Sequence, residues 1–208
     1  HPVAHSFPTR RSSDLRGVVF CNTPGCGTTE VADTACAMIL SLQRKIFHYN
    51  HTCKQDTEEW QKVLAPIHRT NRSVLGIVGL GRIGYAVFER MRPFGWTILG
   101  YDPQAREARQ LKQESSESKG AIERLTWCDS LEEMAEKVDV LTLHAPLNEE
   151  TKGMIDARFI ARWKKGACIA NCARGGIFNG LDPVMDALQS GRLAAVAMVL
   201  VMVGSRPE

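Results

Sequence analysis

The chain has 208 residues, with 26 Lys+Arg against 23 Asp+Glu and a formal net charge of +3. Hydrophobic residues make up 44% and charged residues 24%, the balance of a globular chain rather than a disordered one. So small and scattered a positive excess argues against direct nucleic-acid binding, which needs a clustered basic face. The longest apolar run, Leu193 to Val203, has eleven residues, where a membrane span takes about 20.

Seven cysteines, Cys21, Cys26, Cys36, Cys53, Cys128, Cys168 and Cys172, form no C-x-x-C pair. An odd count without metal spacing reads as reduced thiols and implies a cytoplasmic setting. Residues 1–15 carry neither periodicity nor an apolar core suited to a leader. They resemble the conceptual translation of a sequencing-library adapter and are expected to form no part of the fold.

From Val18 onward strand-like and helix-like segments alternate, the pattern of a parallel sheet covered by helices. Gly17 to Asn22 reads as a short strand. Val31, Ala35, Met38, Ile39, Leu42 and Ile46 recur at helical spacing, with Thr28 as the expected N-cap. Tyr49 to Arg72 is polar and reads as irregular connecting structure. Val74–Val78 is a compact strand, followed by a glycine loop and a helix over Ile83 to Arg92. Thr97–Tyr101 is the next strand and closes on Asp102, and a polar loop follows over Lys112 to Gly120. A short helix spans Glu132 to Lys137, and the strand Val138 to Leu143 ends at His144-Ala145-Pro146. A helix through Phe159 and Trp163 leads to the strand Ala167–Asn171 and then to Cys172-Ala173-Arg174-Gly175-Gly176. Asp182-Pro183 reads as an N-cap with Pro at the first helical position.

Gly79-Leu80-Gly81-Arg82-Ile83-Gly84 is G-x-G-x-x-G, a weak signal alone. Here it follows a strand, opens a helix, and is followed 18 residues later by Asp102 at the end of the next strand. That is the full context of a dinucleotide-binding turn. Gly79 allows the tight turn, Gly81 lets the backbone approach a pyrophosphate, and Gly84 lets helix and strand pack closely. The helix N-terminus offers free N–H groups to the phosphates. Asp102 suits a ribose diol and disfavours a 2′-phosphate, which points to NAD rather than NADP; Arg106, close by in sequence, pulls the other way.

Asp102, His144 to Pro146 and Cys172 to Gly176, like the glycine loop, each sit just past a strand. A parallel sheet gathers such positions along its carboxyl edge. Arg174, between a buried strand and two glycines, is the best candidate for chemistry. Its guanidinium fork suits a carboxylate with an adjacent carbonyl. His144 is read as a residue packing against a cofactor rather than as an acid–base group, since it ends an apolar strand.

The glycine loop with Asp102, His144-Ala145-Pro146-Leu147 with Thr151 and Ile155, and Lys165-Gly166-Ala167 through Asn171-Cys172-Ala173-Arg174-Gly175-Gly176 resemble the D-isomer-specific 2-hydroxyacid dehydrogenases. Cys21-Asn22-Thr23-Pro24 and Glu30-Val31-Ala32-Asp33 are similar to the stretch by which that family passes from its substrate domain to its cofactor domain. The resemblance covers Val18 to Arg192. It implies a Rossmann-type doubly wound α/β fold that binds NAD. Residues 16–22 would be a remnant of the substrate domain and 23–208 a cofactor domain incomplete at its C-terminus.

The resemblance also implies site residues. Gly79, Gly81, Arg82, Ile83 and Gly84 would hold the pyrophosphate and Asp102 the adenosine ribose. His144, Ala145, Pro146, Thr151, Cys172 and Ala173 would line the cofactor site, and Val31 would touch the nicotinamide side. Arg174 would bind a small 2-oxo or 2-hydroxy acid, and the cofactor domain would pair as a homodimer. The family's acid–base histidine and its glutamate partner are not found. Val199 stands where an aspartate is expected, and the glutamate position falls near Gly204. A chain truncated at both ends and without turnover is therefore expected. The alternative is an NAD-regulated corepressor of the C-terminal-binding-protein type, nuclear in location, toward which Thr29-Glu30-Val31-Ala32-Asp33-Thr34 leans. A domain that has lost nucleotide binding is a third reading.

Overall fold

The computed structural model describes residues 25–55, 67–106 and 125–199. The expected strand at 17–22, the stretch at 1–15 and the expected loop at 112–120 lie outside these residues. Two helices come first, α1 (Thr28–Gln43) and α2 (Ile46–Gln55). They are followed by β1 (Val74–Val78), α3 (Arg82–Met91), β2 (Thr97–Tyr101) and β3 (Leu125–Trp127). The remaining elements are α4 (Leu131–Ala135), β4 (Val140–Leu143), α5 (Ala157–Arg162), β5 (Ala167–Asn171), α6 (Asp182–Gln189) and β6 (Leu193–Met198).

The six described strands are all parallel and lie in the order β3-β2-β1-β4-β5-β6. The chain runs outward from β1 in one direction, then returns to β1's other side at β4. Crossovers that lead to opposite sides of β1 leave a crevice between the carboxyl ends of β1 and β4, where ligands of doubly wound sheets bind.

Alternation along the strands divides the core into two layers. Leu75 and Ile77 of β1, with Val140, Cys168 and Ala170, face α1 and α3 and meet Ala32, Ile39, Val87, Phe88 and Met91. Val78, Leu141, Leu143 and Ile169 face the other side and meet Met134, Phe159, Trp163 and Val184 of α4, α5 and the segments beside them. Gly76 sits on that second face because a Cβ there would lie 2.7 Å from Val138 and 2.8 Å from Leu141. Its absence lets the helical layer settle directly on the sheet.

Four local expectations are corrected. Thr28 is the first residue of α1 rather than its cap; Gly27 takes the cap position and no side chain serves it. The stretch after Tyr49 continues α2 as far as Gln55, so the polar sequence there is helical in its first turns. A three-residue strand, β3, pairs with β2 and was not visible in the pattern. Leu181 is the cap residue of α6, which places Asp182 and Pro183 at its first two positions. Caps left without a side-chain partner show no local signal, and a three-residue strand carries too little alternation to register.

Candidate dinucleotide site

The register aligns the strand ends. Tyr101 pairs with Val78, Val78 with Leu143, and Leu143 with Asn171. The next residue of each strand, Asp102, Gly79, His144 and Cys172, therefore starts its loop along one line across the carboxyl edge.

Glycines build the loop after β1. Gly79 has φ of 86°, and a Cβ on it would lie 2.6 Å from the amide nitrogen of Ala145. The glycine thus lets the loops after β1 and β4 touch. A Cβ on Gly84 would lie 1.9 Å from the carbonyl oxygen of Gly79, so α3 seats directly on the turn. At Gly81 a Cβ would meet nothing within 4 Å. Gly81 caps α3 without a side-chain hydrogen bond, so the first-turn N–H groups, those of Arg82, Ile83 and Gly84 among them, have no acceptor supplied by a capping side chain. A close turn, an open approach and a tight helix seat, in that order, are the three features a pyrophosphate-binding turn requires. The residues fit the group.

Asp102 does two jobs in the polypeptide itself. Its Oδ2 accepts the Leu80 N–H at 2.8 Å, and its Oδ1 accepts the Ala105 N–H at 2.9 Å. The first bond braces the glycine loop from β2; the second caps the helical turn of residues 103–106. A carboxylate has about four acceptor positions, so capacity remains for two ribose hydroxyls. Bracing the loop gave no sign in the sequence.

His144 is largely buried. Its Nε2 shares a hydrogen bond of 2.9 Å with Thr142 Oγ1, while its buried Nδ1 has no partner. Burial pulls its pKa from 6.5 down to about 4. It is neutral at neutral pH and poorly suited to donate a proton there, in keeping with the packing role read from the sequence. Ala145 is buried beside Gly79, and Pro146 is exposed at the rim. The Thr151 hydroxyl donates to the Pro146 carbonyl and accepts the Asn148 N–H at 2.9 Å. It closes the loop of residues 146–151, and the side chain is engaged within the loop itself.

After β5 the key side chain is one the sequence did not single out. Asn171 is 3% exposed; its Oδ1 accepts the Ala173 N–H at 2.9 Å and its Nδ2 donates to the Arg174 carbonyl at 3.2 Å. This clamp shapes the loop that carries Arg174. Arg174 is exposed, donates through Nη1 to the Ala173 carbonyl, and has no carboxylate partner among the described residues. An ionised guanidinium held at the sheet edge without a counter-charge can receive a carboxylate. Cys172 is half-buried against Met38 of α1, Sγ to Sδ 3.6 Å. Val31 lies half-buried on the first turns of α1, near Gly27. Met38 is thus an α1 side chain in contact with the loop after β5.

Among the described residues no cluster of His, Cys, Asp and Glu has metal-binding geometry, and no helix is long and apolar enough to cross a membrane. The crevice, the glycine turn and the Asp102 carboxylate at the end of β2 are features of a dinucleotide-binding α/β domain.

Comparisons with known proteins agree. The model of the D-isomer specific 2-hydroxyacid dehydrogenase NAD binding domain matches residues 36–200, and the chain belongs to that family. Its cofactor is NAD. The D-3-phosphoglycerate dehydrogenase of Bacillus subtilis is 37% identical over 182 residues, which are 88% of this chain and 32% of that protein. The human D-3-phosphoglycerate dehydrogenase is 36% identical over 183 residues, with the same shares. The chain thus spans about a third of the length of the curated relatives it matches. Among solved structures, a D-lactate dehydrogenase from Treponema pallidum superposes with a TM-score of 0.73 at 27% identity, over 89% of this chain and 52% of that one. The D-lactate dehydrogenase of Aquifex aeolicus, solved with NAD and lactic acid, gives 0.71 at 26% identity, over 93% and 54%.

Proposed function

We propose that this chain is the part of a D-2-hydroxyacid dehydrogenase that holds NAD(H) for hydride exchange with a small 2-oxo or 2-hydroxy acid. The domain would begin near residue 23. The observation that carries the reading is the glycine turn, where Gly79 and Gly84 are closed off by backbone and Gly81 alone opens outward.

In this reading the α3 N–H groups of Arg82, Ile83 and Gly84 receive the pyrophosphate, and Asp102 receives the adenosine ribose through its remaining lone pairs. Ala145, Pro146, Thr151, Cys172 and Ala173 wall the nicotinamide end, with His144 packed behind them as a neutral imidazole and Val31 approaching from α1. NAD supplies the hydride acceptor. Arg174 binds the substrate carboxylate and steadies charge on the reacting oxygen.

Proton transfer needs an acid–base group near pH 7. Among the described histidines, His144 at the edge titrates far too low. His48 and His51 lie on α2, and His68 precedes β1. The described residues therefore bind and orient without a proton relay, and turnover by this chain alone is expected to be negligible.

Fluorescence titration with NADH, followed by oxamate as a carboxylate probe, tests the reading. Micromolar NADH binding is expected, together with oxamate binding that Arg174→Gln removes while NADH affinity stays. Failure of wild-type protein to bind NADH overturns it.

We further propose a cytoplasmic homodimer. Support comes from the six described cysteines, all unpaired, and from exposed Ile46 and Phe47 beside an apolar groove of about 580 Å³ lined by Met38, Leu42, Val196 and Met198. Light scattering reads the mass directly.

A further inference from the structure

Arg106 lies one helical turn beyond Asp102, its N–H donating to the Asp102 carbonyl at 3.0 Å. A guanidinium so close to the ribose-edge carboxylate is the group that would receive a 2′-phosphate. Yet it is already engaged: Arg106 Nη1 donates to Asp129 Oδ1. Asp129 comes from the neighbouring strand. Gly100 pairs with Trp127, and the Cys128 N–H donates to the Gly100 carbonyl at 2.9 Å. Asp129 is two residues past that strand pair, just as Asp102 is. The two carboxylates leave adjacent strands at the same level, with the guanidinium of Arg106 held by the second.

Asp129 is itself held. Its N–H donates to Glu133 Oε2 at 3.0 Å, and Glu133 Oε1 accepts from Lys137 Nζ at 2.6 Å. Glu133 is further anchored where its N–H donates to the capping hydroxyl of Ser130. The described charged groups around Arg106 are thus the carboxylates Asp102, Asp129 and Glu133 and the ammonium of Lys137, which is committed to Glu133. With Arg106 included the cluster carries a net negative charge, an environment adverse to a dianionic phosphate.

We propose that Asp129 is a second determinant of cofactor choice, which discharges Arg106 and sets a negative charge beside the ribose edge, so that the crevice takes the dinucleotide without a 2′-phosphate. This rests on the reading that Asp102 marks the ribose edge of the NAD site. The role does not depend on the strength of the ion pair. Asp129 is 82% exposed in its side chain, and exposed pairs contribute little to folding. What matters is which partner Arg106 has when a phosphate arrives.

The test titrates NADH and NADPH, by nicotinamide fluorescence, into the full chain and into D129N, D129S, R106Q and the double variant D129N/R106Q. The ratio of NADPH to NADH dissociation constants is expected to fall about 3–10-fold in D129N, carried by NADPH, since a freed guanidinium gains a charge-assisted contact. D129S should show the same ordering. R106Q in the D129N background should remove the gain. An unchanged ratio in D129N and D129S, or a gain that survives R106Q, overturns the proposal. Wild-type protein that binds neither dinucleotide overturns the underlying site reading and this inference with it, an outcome distinct from an unchanged ratio.

Discussion

A side-chain carbon on Gly84 would stand 1.9 Å from the carbonyl oxygen of Gly79, two glycines five positions apart that press helix α3 onto the turn before it. Gly81, between them, borders empty space. The two positions should therefore separate folding from binding. Gly84→Ala must displace backbone, with an expected loss of about 2–3 kcal/mol. Gly81→Ala, at φ of −67°, should change stability by less than about 1 kcal/mol while weakening NADH by tenfold or more. Urea melts paired with NADH titration check both.

Asn171 should behave as a positioning residue for Arg174. Asn171→Leu keeps the branched shape and removes both hydrogen bonds to the loop, leaving the Ala173 N–H without its partner. A loss of about 1–3 kcal/mol is expected, along with weaker oxamate binding and unchanged NADH affinity. If oxamate binding is intact in a folded N171L protein, the clamp is irrelevant to the anion site.

His144 gives the fold a pH dependence of definite sign. The folded imidazole holds its proton only below about 4, whereas the unfolded one protonates near 6.5, so acid favours the unfolded chain. The stabilisation is complete above about pH 6.5, declines as pH falls toward 4, and levels off below that. Its full span is about 3 kcal/mol. His144→Asn should flatten stability against pH across this window; an unaltered slope would show that other groups set it.

Thiol reactivity should follow burial. Cys26 and Cys53 are exposed and should react first with a disulfide reagent at pH 7. Burial raises the pKa of Cys36 to about 11 and raises those of Cys128, Cys168 and Cys172 as well. Fewer thiolates form there, and labelling should be slower. Peptide mapping after timed quenching gives the order.

The sequence made the sheet legible because buried parallel strands are short apolar runs, and Val74–Val78, Thr97–Tyr101 and Ala167–Asn171 were bounded to the residue. The edge residues followed from the same logic. What escaped was contact between loops. The bond from the Leu80 N–H to Asp102, the Asn171 clamp and the Met38–Cys172 contact join residues 22, 3 and 134 positions apart. The first and last need the folded register before they can be seen. The clamp is local, but Asn171 ends an apolar run as any strand residue does, so its amide carried no distinguishing mark. The second half of α2 was missed because Asn50 to Lys54 are largely polar and exposed, where apolar periodicity has nothing to report.

The sheet's rims carry two kinds of residue. Asp139 belongs to the first kind: it accepts the Val74 N–H at 2.8 Å at the sheet's opposite rim and pairs with Lys164. Asn171 and Asn148 likewise spend their polar atoms on the backbone. Arg174 commits a single guanidinium nitrogen, to the Ala173 carbonyl, and the space beside Gly81 is open. Loops propped from behind by one set of residues can exchange the other without losing their shape. A scaffold divided in this way is open to variation in substrate while its architecture stays under constraint.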